Sequence, residues 1–255
     1  MLLPAKNFVG FKLRAQDGDM GKAHDFLFDD HHWVIRYLVA DTGGGFLGRE
    51  ILIPPEALQP VDVPGRFLPV GLTKDQIKNG LPVESHQPVS RQLDSRYPSC
   101  YAFPFDADAF SPWGLNLSFL MGPPDHRTGG RLQEAGDPHL KSTGDVVGHR
   151  IQARDGEWGQ VEDFIINEET WTIRYLVVTT GSRRGGKRIL VSSQRINGMD
   201  EDRSTVFVSH TVEALKNSPE YTAESLNQDY EARLYHHYYR RSLGMDRLVS
   251  TAADN

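Results

Sequence analysis

The chain has 255 residues, of which 38% are hydrophobic and 24% are charged, and its formal net charge is −6. This length and balance suit one large globular domain or two small ones. An acidic chain repels nucleic-acid phosphate overall, so the composition argues against DNA or RNA as the main partner. The single cysteine, Cys100, excludes an intrachain disulfide and a cysteine-based metal site.

The apolar stretches are too short for membrane insertion or export. The N-terminal sequence MLLPAKNFVGFKLR has three apolar residues before Pro4, which is too few for the core of a signal peptide. No apolar run approaches the roughly 20 residues that span a bilayer. We therefore expect a cytoplasmic protein without a transmembrane segment.

The first 85 residues form a series of short strands separated by turns. The runs FKLRA and MGKAHDFLF flank Asp17-Gly18, a dipeptide that favours a hairpin because a type I′ turn needs positive φ at both central residues. A second hairpin joins HDFLFDD to WVIRYLVA, and TGGGFLG then leads to REILIPP and a short strand, FLPVGL. In TKDQIKNG, the capping-box spacing of Thr73 and Gln76 predicts one short helix.

The strand WVIRYLVA carries an anomalous charge. Alternation places residues 33, 35, 37 and 39 on one face and residues 34, 36 and 38 on the other. Both faces are largely apolar, which predicts a central strand in which Arg36 needs a carboxylate. Asp25 on the neighbouring strand would supply it, so we expect a structural Asp25–Arg36 ion pair. The alternative is an anion site at Arg36.

Residues 86–143 connect this unit to the next. They include PSCYAFPFDADAFSPWGLNLSFLMGPPDHRTGGRLQEAGDP, whose prolines and glycines argue against a long helix or a regular sheet. Their many aromatic residues also argue against a flexible polar linker. The connector either packs back on the folded units or forms an adhesive surface for a partner or a second copy of the chain.

A second unit repeats the first. With an offset of 138, residues 9–58 align with residues 147–196 without a gap, and 19 of these 50 positions are identical. A period of this length indicates a duplicated domain rather than a solenoid. The repeat brings a second candidate ion pair, Asp163–Arg174. Each copy offers about five or six short strands, which is typical of an antiparallel barrel or sandwich.

A glycine-rich hairpin tip in the second copy has the spacing of a phosphate-binding loop, from Gly181 to Lys187. Position 188 is arginine where magnesium binding needs serine or threonine, and the following ILVSS predicts a strand rather than the required helix. The tip is basic, with Arg183, Arg184, Lys187 and Arg188. It is either a solvated turn or a docking point for an acidic partner, a phosphate or a membrane surface.

The final segment, residues 221–255, contains a predicted helix in SLNQDYEARLYHHYYRRSLG. Leu226, Tyr230, Leu234, either His237 or Tyr238, and Arg241 recur at three- or four-residue steps and form a tyrosine-rich stripe. We expect this stripe to pack on a barrel, with contact to another subunit as the alternative.

No catalytic or metal-binding constellation emerges from the sequence. The pairs His31-His32 and His236-His237 lack a third ligand at suitable spacing. No GxSxG elbow is present, and Cys100 has no nearby histidine that would activate it. The sequence therefore predicts no catalytic residues, no metal and no cofactor.

The repeated series DGDMGKAHDFLFDDHHWVIRYLVADTG and DGEWGQVEDFIINEETWTIRYLVVTTG, preceded in the second copy by DPHLKST, resembles the tandem PRC-barrel proteins of bacteria. The resemblance spans nearly the whole chain. It implies two small antiparallel β-barrels, at residues 1–85 and 144–220, each followed by short helical segments. Related barrels occur in the cytoplasmic part of the photosynthetic reaction centre H subunit and in a ribosome-maturation factor, where they act in assembly.

These observations favour a non-enzymatic interaction module with a protein partner, which could also assemble with itself. An alternative is a peripheral accessory of a photosynthetic or electron-transfer membrane complex that docks through Arg183, Arg184, Lys187 and Arg188. A third hypothesis is a nucleotide-binding enzyme that uses the Gly181 loop.

Overall fold

Strands dominate the fold, as the sequence predicts. The structure, a computed structural model, describes residues 1–43, 49–82, 139–180 and 186–242. The strands of the first copy are β1 Leu2–Pro4, β2 Lys12–Ala15, β3 Gly18–Asp29, β4 Val34–Asp41, β5 Glu50–Ile53, β6 Phe67–Pro69 and β7 Leu81–Pro82. Those of the second copy are β8 Leu140–Ser142, β9 Arg150–Ala153, β10 Gly156–Asn167, β11 Thr172–Thr179, β12 Arg188–Ser192, β13 Ile196–Asp200 and β14 Thr205–Val208.

In the part of the chain that the structure describes, helices are few and, with one exception, short. They are α1 Ala5–Phe8, α2 Lys74–Lys78, α3 Thr143–Val146, α4 Val212–Lys216 and α5 Gln228–Ser242, with 3₁₀ turns at Pro55–Ala57, Ser193–Arg195 and Ala223–Ser225. Helix α2 confirms the predicted capping box, in which the Thr73 hydroxyl accepts from the Gln76 N–H and the Gln76 side chain accepts from the Thr73 N–H. Among the described residues, none of these helices has the length and apolar character needed to cross a membrane.

The two copies build matching ladders. Strands β2 to β5 pair in antiparallel order, and β9 to β12 do the same. The last strand of each ladder departs from the antiparallel expectation, because β6 runs parallel to β2 and β14 parallel to β9. All the strands join one 14-stranded mixed sheet, which does not close into a barrel over the described ranges.

The first segment of each copy pairs with a strand of the other copy. Strand β1 pairs with β10 of the second copy, with Leu2 opposite Asn167, and β8 pairs with β3 of the first copy, with Leu27 opposite Ser142. Helices α1 and α3 follow these strands directly. We call residues 2–8 and 140–146 the exchanged segments. They lie at the 138-residue offset, so the equivalence of the copies begins before residue 9.

The copies meet at the starts of β4 and β11. The Ile35 N–H donates to the Trp171 carbonyl over 2.8 Å, and the Ile173 N–H donates to the Trp33 carbonyl over 2.7 Å. This reciprocity is the mark of a local twofold relation. Both tryptophans have positive φ, 60° and 51°, which is uncommon for a bulky side chain and is stabilised here by burial of both indoles.

One hydrophobic core serves both copies. The Trp171 ring lies 5.9 Å from both the Phe8 and the Phe26 rings, and the Phe28 ring lies 5.6 Å from the Phe164 ring. The contacts place the described residues of both copies in a single compact unit. The two copies are therefore not separate domains joined by a linker, because their side chains fill the same interior.

A bulge corrects the predicted faces of the central strands. The strand register shifts between Leu27 and Phe28, and between Ile165 and Ile166. Arg36 and Arg174 are therefore extra residues with no residue opposite them on the neighbouring strand. An extra residue reverses the alternation beyond it. Ile173 therefore points into the shared core, whereas Tyr175 and Val177 belong to a second cluster of buried residues.

Helix α5 covers this second cluster, as the tyrosine-rich stripe predicts. Tyr230, Leu234 and Tyr238 are buried against a patch that includes Tyr175 and Leu190. The Tyr175 hydroxyl donates to Glu231 Oε1 over 2.8 Å, and burial is the main cause that raises the pKa of Tyr175 to about 12.

A buried histidine lies beneath the end of α5. The His210 ring stacks on the Tyr238 ring at a centroid distance of 4.0 Å, and His210 is only 9% exposed. Burial, followed by the charges of Arg195, His237 and Arg154, lowers the pKa of His210 to about 4. The folded protein therefore keeps this imidazole neutral.

Replacing Phe28 with alanine is expected to lower the free energy of unfolding by about 3–5 kcal/mol, because the cavity would open between both copies. Urea unfolding monitored by tryptophan fluorescence and by far-UV circular dichroism should give coincident single transitions. The control Phe207→Ala, at a half-buried position, should cost less. Two separated transitions would contradict a shared core.

His210 is expected to make the protein less stable in acid. Its pKa is lower in the folded state than its ordinary value of about 6.5, so the unfolded chain binds more protons and stability falls as the pH drops from about 6.5 to about 4. His210→Gln should flatten this dependence in urea unfolding at a series of pH values. His236→Gln, at an exposed position on α5, should leave it unchanged.

Candidate functional site

A groove of about 430 Å³ opens where the two exchanged segments meet strands β3 and β10. We call it the axis groove. Both copies line it, and five positions of the first copy have their equivalents in the second copy within the lining. The lining consists of Ala5, Lys6, Val9, His24 and Asp25, together with Ser142, Thr143, Gly144, Asp145, Val147, Glu162, Asp163 and Phe164. Duplication followed by exchange thus creates a concave surface that neither copy forms alone.

Asp25 holds the second copy's exchanged segment. Its carboxylate accepts hydrogen bonds from the hydroxyls of Ser142 and Thr143 and from the Gly144 N–H, the last over 3.1 Å. It also accepts from the Phe26 N–H over 2.7 Å. Both carboxylate oxygens are therefore used.

Asp163 holds the first copy's exchanged segment in the equivalent way, but less completely. Its Oδ1 accepts from the Lys6 N–H over 3.1 Å and from the Phe164 N–H over 2.8 Å. Its Oδ2 is buried and receives no hydrogen bond from any described residue. The Lys6 ammonium lies 3.4 Å from Oδ2, within ion-pair distance but without hydrogen-bond geometry.

The difference between the two aspartates follows from the sequence. The residues equivalent to Ser142 and Thr143 are Pro4 and Ala5, which have no hydroxyl. Burial therefore raises the pKa of Asp163 above its ordinary value, and the Phe164 N–H and Lys6 offset only part of this effect.

The rim of the axis groove carries inverted charges at equivalent positions. In the first copy His24 Nδ1 lies 2.6 Å from Glu50 Oε1, and in the second copy Arg188 Nη2 lies 2.8 Å from Glu162 Oε1. The lining itself includes four carboxylates and one ammonium, so acidic groups outnumber basic groups in the groove. Electrostatic complementarity favours a cationic ligand.

Two valines make the axis groove partly apolar. Val9 and Val147 are each 45% exposed and lie at equivalent positions directly after α1 and α3. The glycines that follow them, Gly10 and Gly148, have φ values of 81° and 94°, a conformation that turns the chain away. The positions of both side chains are thus fixed by the exchanged segments.

The predicted partners of Arg36 and Arg174 are corrected. Arg36 Nη2 lies 2.7 Å from Asp29 Oδ2, and Asp25 faces the exchanged segment instead. The bulge sets Arg36 near the end of β3, whereas Asp25 lies opposite Val39. Arg174 is exposed, while Asp163 is buried beside Lys6.

Asp29 is the centre of a small polar cluster at the turn after β3. Burial alone would raise its pKa, but hydrogen bonds from Arg36 and His32 and from the backbone N–H groups of His32 and His31 hold the pKa of Asp29 well below its usual range. His139 joins the cluster, with its ring centroid 5.8 Å from that of His31. Over the described residues, no group of three or more histidine, cysteine or acidic side chains is arranged to hold a metal ion.

The basic hairpin tip is partly engaged within the chain. Lys187 Nζ donates to the Lys216 carbonyl over 2.6 Å, and Arg188 Nε donates to Glu162 Oε2 over 2.9 Å. Strand β12 begins at Arg188, where a phosphate-binding loop would need a helix. Gly181, Arg183, Arg184, Cys100 and the connector from residue 83 to residue 138 lie outside the described residues.

Sequence reasoning missed the axis groove. Val9 and Val147 belong to the repeat, but identity between copies does not reveal that they lie on one surface. Lys6 and Thr143 precede the aligned region, and their contacts depend on strand exchange, which has no local signature.

Comparison with known proteins adds no family name. No protein-family model matches the chain, and a search of curated proteins finds no significant relative.

Asp25→Ala is expected to lower the free energy of unfolding by about 2–3 kcal/mol, because it leaves Ser142, Thr143 and Gly144 without an acceptor in a half-buried site. Urea unfolding measures the loss. The control Asp19→Ala removes an exposed carboxylate paired with Arg14 and should cost less than about 1 kcal/mol. Equal effects would contradict the role of Asp25 in holding the exchanged segment.

Proposed function

We propose that the chain is a non-enzymatic interaction protein, built from two copies of a PRC-barrel-like unit, that docks a protein partner in the axis groove. The observation that carries the proposal is the pair Val9 and Val147, which are exposed at equivalent positions on one concave surface. Apolar side chains within a polar rim are typical of protein interaction sites.

The repeated ladders support the PRC-barrel part of the proposal. Each copy contributes four antiparallel strands and one parallel strand in the same order, followed by a capped short helix, α2 or α4. The resemblance implies assembly rather than catalysis, and the shared core gives a rigid base for docking.

The membrane-accessory alternative has weaker support. It requires a free basic tip, but Lys187 and Arg188 are both engaged with residues of the chain itself. The axis groove is acidic, and an acidic surface repels an anionic membrane.

A photo-crosslinking amino acid at position 147 is expected to capture one protein from the native host's cells, and the same amino acid at position 9 should capture the same protein. The matched control is position 235, where Tyr235 is 60% exposed on α5 and lies outside the axis groove. Mass spectrometry identifies the product.

The variant Val9→Asp/Val147→Asp should abolish copurification of that partner without changing the urea unfolding transition by more than about 1 kcal/mol, because both side chains are exposed. Crosslinks from position 235 alone would contradict docking in the axis groove. Specific turnover of a small-molecule substrate by the purified chain would contradict a non-enzymatic role.

A further inference from the structure

We infer that the Asp163 end of the axis groove binds the guanidinium group of an arginine presented by the protein partner. In the unbound protein the Lys6 side chain occupies this site, and the arginine displaces it. The inference rests on the proposed function and specifies the chemistry of the partner.

The first observation is an unused acceptor. Asp163 is 2% exposed and lines the axis groove, yet its Oδ2 has no hydrogen-bond donor within the described ranges. Buried polar atoms are rarely left so, because an unmade hydrogen bond costs the full desolvation of the group. In Asp25 the equivalent oxygen, Oδ2, accepts from the Ser142 hydroxyl, while the Thr143 hydroxyl donates to Oδ1.

The second observation is the position of Lys6. Its ammonium lies 3.4 Å from Asp163 Oδ2 and 3.7 Å from Glu162 Oε1, so a cation already occupies this end of the groove. It covers Oδ2 without donating to it, and the Lys6 side chain is 53% exposed. A half-exposed side chain on a flexible stem can swing into water at little cost.

A guanidinium matches this site better than an ammonium. Its planar fork carries five N–H donors and can contact Asp163 and Glu162 at the same time, whereas an ammonium acts as a point charge. The surplus of carboxylates excludes an anionic ligand on electrostatic grounds. Val9 and Val147 give apolar contact for the aliphatic stem and for the residues beside the arginine.

The test is an NMR titration of the full chain with N-acetyl-arginine methylamide, with the neutral isostere N-acetyl-citrulline methylamide as the matched probe. The arginine probe should shift the backbone amide signals of Lys6, Gly144 and Phe164 with saturable binding. The citrulline probe should not. Equal shifts from both probes, or none from either at tens of millimolar, would overturn the inference.

Variants of the chain sharpen the test. Asp163→Asn should weaken arginine binding by about tenfold or more, because it removes the charge-assisted acceptor. It should still fold, since the asparagine oxygen can accept from Lys6 and Phe164 as Oδ1 does. Lys6→Met should strengthen binding several-fold because it removes the competing cation. Asp202→Asn makes the same charge change as Asp163→Asn at an exposed turn and should have no effect.

A double variant separates hydrogen bonding from charge. Pro4→Ser/Ala5→Thr restores the hydroxyls present at Ser142 and Thr143, which should fill the free acceptor and weaken arginine binding with the carboxylate retained. Undiminished binding in this variant and in Asp163→Asn would refute the role of Oδ2. If position 147 crosslinks a partner but arginine does not bind, the proposed function stands and only this inference is wrong.

Discussion

Two aspartates at one strand position organise the molecule. Asp25 and Asp163 each accept the backbone N–H of the other copy's exchanged segment, from Gly144 and Lys6 respectively. This reciprocal bond anchors α1 and α3 on the opposite copy. A carboxylate that accepts from a backbone N–H is held in one orientation. The two contacts therefore also fix the direction of the chain at Val9 and Val147, which follow α1 and α3.

The exchange explains why the copies behave as one body. Each copy contributes three residues of strand to the other copy's ladder. Where β4 meets β11, the carbonyls of Trp33 and Trp171 accept from the N–H groups of Ile173 and Ile35. Aromatic side chains from both copies then close a single interior. A duplicated unit that did not exchange segments would leave the ends of β3 and β10 as open edges, which invite aggregation.

The sequence predicts local structure well and long-range pairing poorly. The β2–β3 hairpin, the capping box at Thr73 and the stripe of α5 all depend on residues close together in the chain, and these elements are confirmed. The hairpin turn itself lies at Gln16-Asp17 rather than at the predicted Asp17-Gly18, because Ala15 pairs with Gly18. The exchange joins residues more than 100 positions apart, and nothing in the pattern of Leu2–Pro4 specifies β10 as its neighbour. The bulge at Arg36 was also hidden, because the strand reads as regular alternation, and this is why the predicted Asp25–Arg36 pair was wrong.

Sequence differences between the two copies make the axis groove asymmetric. A homodimer would present every side chain twice, whereas this chain sets Lys6 against Gly144, Ala5 against Thr143 and His24 against Glu162. The bonds that hold the exchanged segments are kept on both sides, while the groups that face solvent differ. The Asp25 end is closed by the hydroxyls of Ser142 and Thr143, whereas the half-exposed Lys6 covers the Asp163 end. A single partner can therefore bind in one orientation, which a symmetric groove could not specify.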